Sequence, residues 1–238
     1  MTNHLIIVAT YNERDNIEPL LNEIFAVVPE VNVLVIDDNS PDKTYEVVDE
    51  LSNSKYKDKL FLMKRSGKLG LGTAYVAGFN WGIERKYDVI MHMDADFSHH
   101  PRYIPEFFEA IKTNDLVLGS RYIKGGGVVN WGLKRKIISM GGSLYSRIIL
   151  GLKTRDLTGG FKCFRRKVLE TIDINNLKST GYSFQVETTY KTFLNGFKIK
   201  EIPIIFEDRR VGQSKMSSGI FVEALWMVIK LKLTVKKP

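Results

Sequence analysis

Three largely apolar runs, at residues 5–9, 33–36 and 89–93, the last carrying His92, each stop at a polar cluster, and this pattern limits the possible folds more than any other feature. A strand with apolar side chains on both faces must lie in a sheet covered on both sides. Between the runs stand segments with apolar residues at helical spacing, such as Ile17, Leu20, Leu21, Ile24 and Phe25. Helices are expected over 16–28, 44–51, 73–85 and 104–111, with further strands over 60–63 and 116–118. Strands alternating with helices predict an α/β fold: Rossmann-like, with a mostly parallel sheet and helices on both faces.

The alternation loosens after Ser120. Gly125-Gly126-Gly127 reads as a flexible hinge. Helices are expected over 137–150 and 184–194, and strands over 161–164 and 199–206. No linker interrupts the chain, so residues 1–215 are expected to form one catalytic domain. Residues 216–238 follow as a C-terminal amphipathic tail, with Ile220, Phe221, Ala224, Leu225, Val228 and Leu231 at helical spacing and Trp226 and four lysines nearby. Such a helix can lie in a membrane interface or pack as a last core helix.

In open parallel sheets, ligands bind at the carboxyl ends of the strands. Here those ends carry Thr10-Tyr11-Asn12-Glu13, Asp37-Asp38-Asn39-Ser40-Pro41-Asp42 and Asp94-Ala95-Asp96. Any one of these could be a turn, and Ser40-Pro41-Asp42 reads as a cap for the next helix. Asp94 and Asp96, one residue apart at a strand end, can hold Mg²⁺ or Mn²⁺ together with substrate phosphates. A zinc site at His92, His99 and His100 is set aside, because His92 lies within the strand pattern and no Cys or Glu completes the site. The glycine-rich segment 67–72 is neither a Walker A loop nor a G-x-G-x-x-G turn, which disfavours kinase-type and dehydrogenase readings. It could bring backbone and Lys68 close to an anionic ligand, or serve only as a tight turn.

The net charge of +8 implies anionic partners. Arg121, Lys124, Lys134, Arg135 and Lys136 cluster mid-chain, and no nucleic-acid signature accompanies them. The single cysteine, Cys163, cannot form an internal disulfide, which favours a reducing compartment. No stretch has the roughly 18 uncharged apolar residues of a spanning helix. The first apolar run reads as a strand rather than a signal peptide. The expected location is cytoplasmic and peripheral, on the cytoplasmic face of a membrane.

Taken in order, TYNE, VIDDNSPD, GKLGLGTAY, MDADFSHHP, GSRY, DLTGGF and GQSK resemble the dolichol-phosphate (polyprenol-phosphate) mannose synthases of glycosyltransferase family 2. The resemblance runs from about Leu5 to Lys215 and implies a GT-A fold. It implies inverting transfer of mannose from GDP-mannose to a polyprenyl (dolichyl) phosphate at a membrane surface, with a possible membrane partner subunit. By the same resemblance, Ala9, Tyr11, Glu13, Ile36, Asp38 and Lys68 hold the nucleotide-sugar. Ala9 replaces the family's usual proline. Asp94, Ala95 and Asp96 manage the diphosphate, and Asp96 with Ser98 the metal. Arg121, Arg135 and Ser139 grip the acceptor phosphate, and Arg209 and Lys215 close over the donor. Asp94, Asp96, Arg121 and Arg135 form the catalytic set. Asp156 is expected to face the sugar, orient Arg135 or cap a loop, and Glu187 is given no role. A UDP-sugar donor, a saccharide acceptor and a catalytically silent binding subunit stay open as alternatives.

Overall fold

The computed structural model describes residues 3–177, 181–207 and 218–235, with 134, 181–182 and 218–224 as backbone only. The first half follows the alternation: β1 (His4–Thr10), α1 (Arg14–Val27), β2 (Asn32–Asp37), α2 (Thr44–Asn53), β3 (Leu60–Lys64), α3 (Leu71–Glu84), β4 (Val89–Asp94), α4 (Ile104–Ala110) and β5 (Leu116–Ser120). The second half holds β6 (Gly127–Val129), α5 (Leu133–Leu150), β7 (Lys162–Arg165), α6 (Arg166–Thr171), α7 (Gly181–Leu194), β8 (Ile199–Pro203), β9 (Ile205–Glu207) and α8 (Ser218–Thr234).

The main sheet has the order β3-β2-β1-β4-β7-β5-β8. It is parallel except at β7, which runs antiparallel to both β4 and β5. The fold is therefore the expected α/β, GT-A arrangement. Side chains on its two faces form two separate core clusters, one with α1 and α4, the other with α3, α6 and α7. Gly78 and Gly82 let α3 lie directly on the sheet. A Cβ would come within 2.7 Å of Ile36 at Gly78 and within 2.8 Å of Ile90 at Gly82. Real Cβ contacts are not that short, so any larger residue would push the helix off the core.

The structure departs from the sequence expectations in four places. The 199–206 run breaks into two strands: β8 closes the main sheet beside β5, while β9 pairs with β6 in a separate two-stranded sheet. The glycine triplet is not a hinge. Gly126 donates its N–H to the Ile123 carbonyl in a tight turn, and a Cβ there would lie 2.4 Å from the Ser120 carbonyl oxygen. Helix α5 starts at Leu133 rather than 137, which places Arg135 in its first turn. Helix α6 carries too few residues to show a period.

Helix α5 presents two faces. Ser143, Ser146 and Leu150 are buried, whereas Leu133, Ile137, Met140, Leu144 and Ile148 are 46–73% exposed. The exposed five recur every three to four residues and so form one stripe. Helix α8 packs beside α5, and the Tyr145 hydroxyl donates to the Leu225 carbonyl at 3.2 Å. Val228 and Leu231 of α8 are buried against Leu150, Leu152, Leu157, Val186 and Tyr190. Each such burial contributes about 1.5–3 kcal/mol. Trp226 and Leu233 face outward, at 66% and 72% exposure. Among the described residues, no helix is long and apolar enough to cross a membrane.

Candidate active site

The register of the sheet assembles the site at the carboxyl ends of β1, β2 and β4. Ala9 lies between Ile36 on β2 and Asp94 on β4. Just past these three strands, Asn12, Asn39 and Phe97 adopt left-handed backbone, with φ of 60°, 55° and 63°. For a phenylalanine this conformation is costly, and such strain concentrates at functional sites.

The ends of β1 and β2 are built on carboxylates with distinct duties. Asp37 is fully buried and accepts hydrogen bonds from the Ser40 amide and the Thr10 and Ser40 hydroxyls, which fixes the loop. Asp38 pairs with Arg65 at 2.6 Å and accepts from the Leu69 amide at 3.2 Å. It therefore anchors the glycine-rich loop, and Arg65 is a site residue that the sequence motifs did not reveal. The Lys68 ammonium lies 4.3 Å from the Tyr11 ring centroid, a cation–π contact at the same strand ends. Glu13 accepts from the Asn16 side chain at 2.8 Å. The Ile36 side chain is core, so a nucleotide could reach only its main chain.

Asp94 and Asp96 stand at the centre. Asp94 accepts from the Tyr75 hydroxyl at 3.1 Å and keeps its side chain 32% exposed. Asp96 is buried and accepts from the Ser98 hydroxyl at 2.5 Å and the Ser98 amide at 3.1 Å. Ala95 is core. Among the described residues, no three His, Cys, Asp or Glu side chains converge on a cage. The donors are hard carboxylate oxygens at an open strand end, which fits a divalent cation completed by substrate oxygens. Gly160 borders this spot: a Cβ there would lie in ordinary contact with His99, at 3.4 Å, and with Asp94 Oδ1, at 3.7 Å.

Arg121 and Asp156 form the other wall. The Arg121 guanidinium makes two 2.7 Å bonds to the Asp156 carboxylate, and its amide donates a third at 2.9 Å. Both are buried. Burial alone would raise the Asp156 pKa, but the Arg121 charge and hydrogen bonds hold it below the usual carboxylate range. Of the three roles that the sequence leaves open for Asp156, none names Arg121, which is the side chain that it orients. Arg135 lies 4.1 Å from the Trp131 ring centroid and Arg121 lies 5.5 Å from it, so one indole backs both guanidinium groups. Ser139 accepts from the Tyr122 hydroxyl at 2.7 Å. Arg209 and Lys215 lie outside the described residues. Glu187 is fully buried and paired with Lys191 at 3.4 Å.

His99 joins the two walls. It is buried, its Nδ1 accepts from the Asp94 amide at 3.0 Å, and it feels the charges of Asp94, Asp96, Arg121 and Asp156. Desolvation lowers its pKa despite the nearby carboxylates, and it lowers that of His92 still further. Both rings are therefore neutral in the fold. The unfolded chain takes up those protons near pH 6.5, so this stability is complete above about 6.5 and is lost as pH falls below it. The loss reaches at most about 1.4 kcal/mol per pH unit for each histidine. Melting temperatures at pH 7.5 and 5.5 should show the drop, and His92→Gln should reduce it. An equal drop in parent and variant would assign the effect to other groups.

The profile of the family described as glycosyl transferase family 2 matches residues 5–173. Over 232 residues the chain is 45% identical to the undecaprenyl-phosphate mannosyltransferase of Micrococcus luteus, covering 98% of this chain and 95% of that protein. It is 43% identical to the polyprenol monophosphomannose synthase of Mycolicibacterium smegmatis over 225 residues, 94% of this chain and 84% of that one. Among solved structures, the mannosyltransferase PcManGT of Pyrobaculum calidifontis, in complex with GDP-Man and Mn²⁺, superposes with a TM-score of 0.67 at 16% identity. That match covers 99% of this chain and 66% of the other. Glucosyl-3-phosphoglycerate synthase of Mycobacterium tuberculosis, with Mn²⁺ and UDP, gives 0.67 at 17% identity, over 98% and 78%. The two structural likenesses establish the fold alone.

Proposed function

The chain belongs to glycosyltransferase family 2, and from that premise we propose that it transfers mannose from GDP-mannose to a polyprenyl phosphate, with inversion, at a membrane surface. The acceptor class and the sugar rest on the two mannosyltransferase relatives. One observation carries the chemistry. The carboxylate of the second wall, Asp156, has both oxygens on Arg121, so it is committed to that guanidinium rather than available to deprotonate a hydroxyl.

That arrangement suits a phosphate nucleophile, which is already anionic at neutral pH and needs no strong base. Its oxygen attacks the anomeric carbon while the bond from that carbon to the diphosphate breaks, and the leaving nucleoside diphosphate carries off the electron pair. Arg121 and Arg135, backed by Trp131, would neutralise the incoming phosphate and bring it against the donor. Ser139 adds a hydroxyl on the same helix. Asp94 and Asp96 would hold Mg²⁺ or Mn²⁺, which supplies Lewis-acid stabilisation of the leaving diphosphate. Ser98, committed to Asp96, acts by fixing that carboxylate. Tyr11, Glu13, Asp38 and Lys68 would receive the nucleoside, with Arg209 and Lys215 closing from the following segment. Residues 1–215 carry this chemistry. Residues 216–238 add the helix whose Trp226 and Leu233 face outward, and with the α5 stripe they give a peripheral membrane contact on the cytoplasmic face.

Arg135→Ala tests the division of labour. It should raise KM for the prenyl phosphate about tenfold to a hundredfold, since a charged phosphate contact is worth about 1.5–3 kcal/mol, and leave the dissociation constant of GDP-mannose nearly unchanged. Equal losses on both substrates would contradict the assignment.

A further inference from the structure

Strands β4 and β7 and helix α7 share a set of buried polar groups that the transfer step leaves unused. Lys162 on β7 pairs in register with His92 on β4, and both are fully buried. The Lys162 ammonium donates to the main-chain carbonyl of Gln185 and to the hydroxyls of Thr188 and Thr189. Those two hydroxyls in turn donate to the same carbonyl at 3.1 Å. The backbone of Gln185 is thereby fixed, and the residue is 3% exposed. The His92 ring packs on Tyr75, with centroids 4.3 Å apart, and its Nε2 lies 3.3 Å from Gln185 Oε1. Among the described residues, His92 Nδ1 has no hydrogen-bond partner. Were the Gln185 amide nitrogen turned to His92, the ring proton would sit on Nδ1 as an orphaned buried N–H, the costlier arrangement. Oε1 therefore faces His92 and the ring proton is on Nε2. The amide Nε2 of Gln185 faces Gly160, a half-buried residue just ahead of β7. A Cβ on Gly160 would lie 3.4 Å from that nitrogen and 3.7 Å from Asp94 Oδ1. A donor that no described protein group takes up and a carboxylate acceptor thus meet over one bare α-carbon.

We propose that this spot over Gly160 seats one hydroxyl of the transferred hexose, which accepts from Gln185 Nε2 and donates to Asp94 Oδ1, making Gln185 a specificity-determining residue. The inference rests on the mannosyl-transfer reading above and adds to it the residue that reads the sugar. The chemistry of the spot selects the ligand. A phosphate oxygen accepts from the amide but meets the Asp94 charge, and an ammonium suits Asp94 but confronts the amide N–H. A hydroxyl both donates and accepts, so it satisfies the two groups at once. In the reading above Asp94 stands at the donor diphosphate, and the hexose is the part of the donor bonded to that diphosphate. Water has the same hydrogen-bonding capacity as a hydroxyl. A seat that keeps its water, however, gives no dependence on any one sugar hydroxyl, and the experiment below separates the two. Gly160 makes the approach possible. An Ala Cβ there touches its neighbours only at ordinary distances, so the fold tolerates it, but it takes the room that the hydroxyl needs.

GDP-mannose and its 2-, 3-, 4- and 6-deoxy analogues are compared as donors, with farnesyl phosphate as acceptor, in the parent, Gln185→Met and Gly160→Ala. In the parent, one deoxy donor should fall about tenfold to a hundredfold in kcat/KM, because its absent hydroxyl leaves both protein groups unpaired. Gln185→Met should lower kcat/KM for GDP-mannose by a similar factor and narrow the gap to that one deoxy donor. The other deoxy donors should keep their parental ratios to GDP-mannose. Each ratio is taken within one protein, so a loss of stability in Gln185→Met does not imitate the result. Gly160→Ala should lower kcat/KM for GDP-mannose about tenfold or more, with a melting temperature within a few degrees of the parent. The dissociation constant of GDP, which carries no hexose, should stay within twofold in both variants. If Gln185→Met lowers every donor by the same factor, Gln185 serves only the fold or a water, and the seat is wrong. Parental use of GDP-mannose by Gly160→Ala would overturn it equally. If the parent itself transfers no mannose to a prenyl phosphate, the underlying reading fails and the seat with it, and that is seen before any variant is compared.

Discussion

Asp96→Ala is expected to lower metal-dependent turnover on the order of a thousandfold or more, the largest effect of any single substitution in this site. The reason lies in the donor set. Among the described residues no third acidic or imidazole group completes a cage, so the metal would depend on two carboxylates and the substrate diphosphate. Asp94 is partly exposed and shared with Tyr75, while Asp96 is buried and fixed by Ser98. Removing Asp96 leaves one carboxylate to compete with the cation's hydration shell, which one cannot do well. Initial rates over a range of Mg²⁺ and Mn²⁺ concentrations measure this. A variant with near-parental kcat at saturating metal would place the metal elsewhere.

Asp156→Ala is expected to cost about 3–5 kcal/mol of folding stability, because it leaves the Arg121 guanidinium buried without its carboxylate. Acceptor use should fall with it, since Arg121 would no longer be held toward the site. Asp156→Asn separates this role from that of a catalytic base. It keeps the shape and part of the hydrogen bonding, so a positioning role predicts partial stability and a raised acceptor KM. The pH profile of kcat should show no new acid limb. A general base predicts full stability with kcat almost abolished. Denaturant unfolding alongside steady-state kinetics distinguishes the two.

Much of this was legible in the sequence because strand ends and strand identity are written locally. The runs of β1, β2 and β4 are apolar on both faces, and the acidic residues that stop them fall where the parallel register brings them together. The second half was less legible for physical reasons. The segment 199–206 carries Pro203 at its break, but nothing in its pattern says that the residues after it leave one sheet for another. The start of α5 is hidden by Lys134-Arg135-Lys136, which breaks the apolar period. Nothing in the helical spacing tells that Leu144 and Ile148 point outward.

Pairings between distant residues were the least legible. Arg65 with Asp38, Trp131 behind two arginines, and Asp156 with Arg121 each depend on the fold bringing separate loops together. From its type alone, the His99 ring suggests only a possible zinc ligand. Its place between both walls, accepting from the Asp94 amide, follows only from the turn after β4.

The central claim is transfer of mannose to a lipid phosphate, and identification of the lipid product tests it most directly. The protein is incubated with Mg²⁺ or Mn²⁺, a polyprenyl phosphate and, in parallel, GDP-mannose, UDP-glucose and a UDP-N-acetylhexosamine, and the lipid extract is analysed by mass and anomeric configuration. The account predicts a β-linked polyprenyl phosphate mannose from GDP-mannose, and none when metal is chelated. A lipid product from a UDP-sugar alone, or sugar found only on a saccharide acceptor, would contradict it.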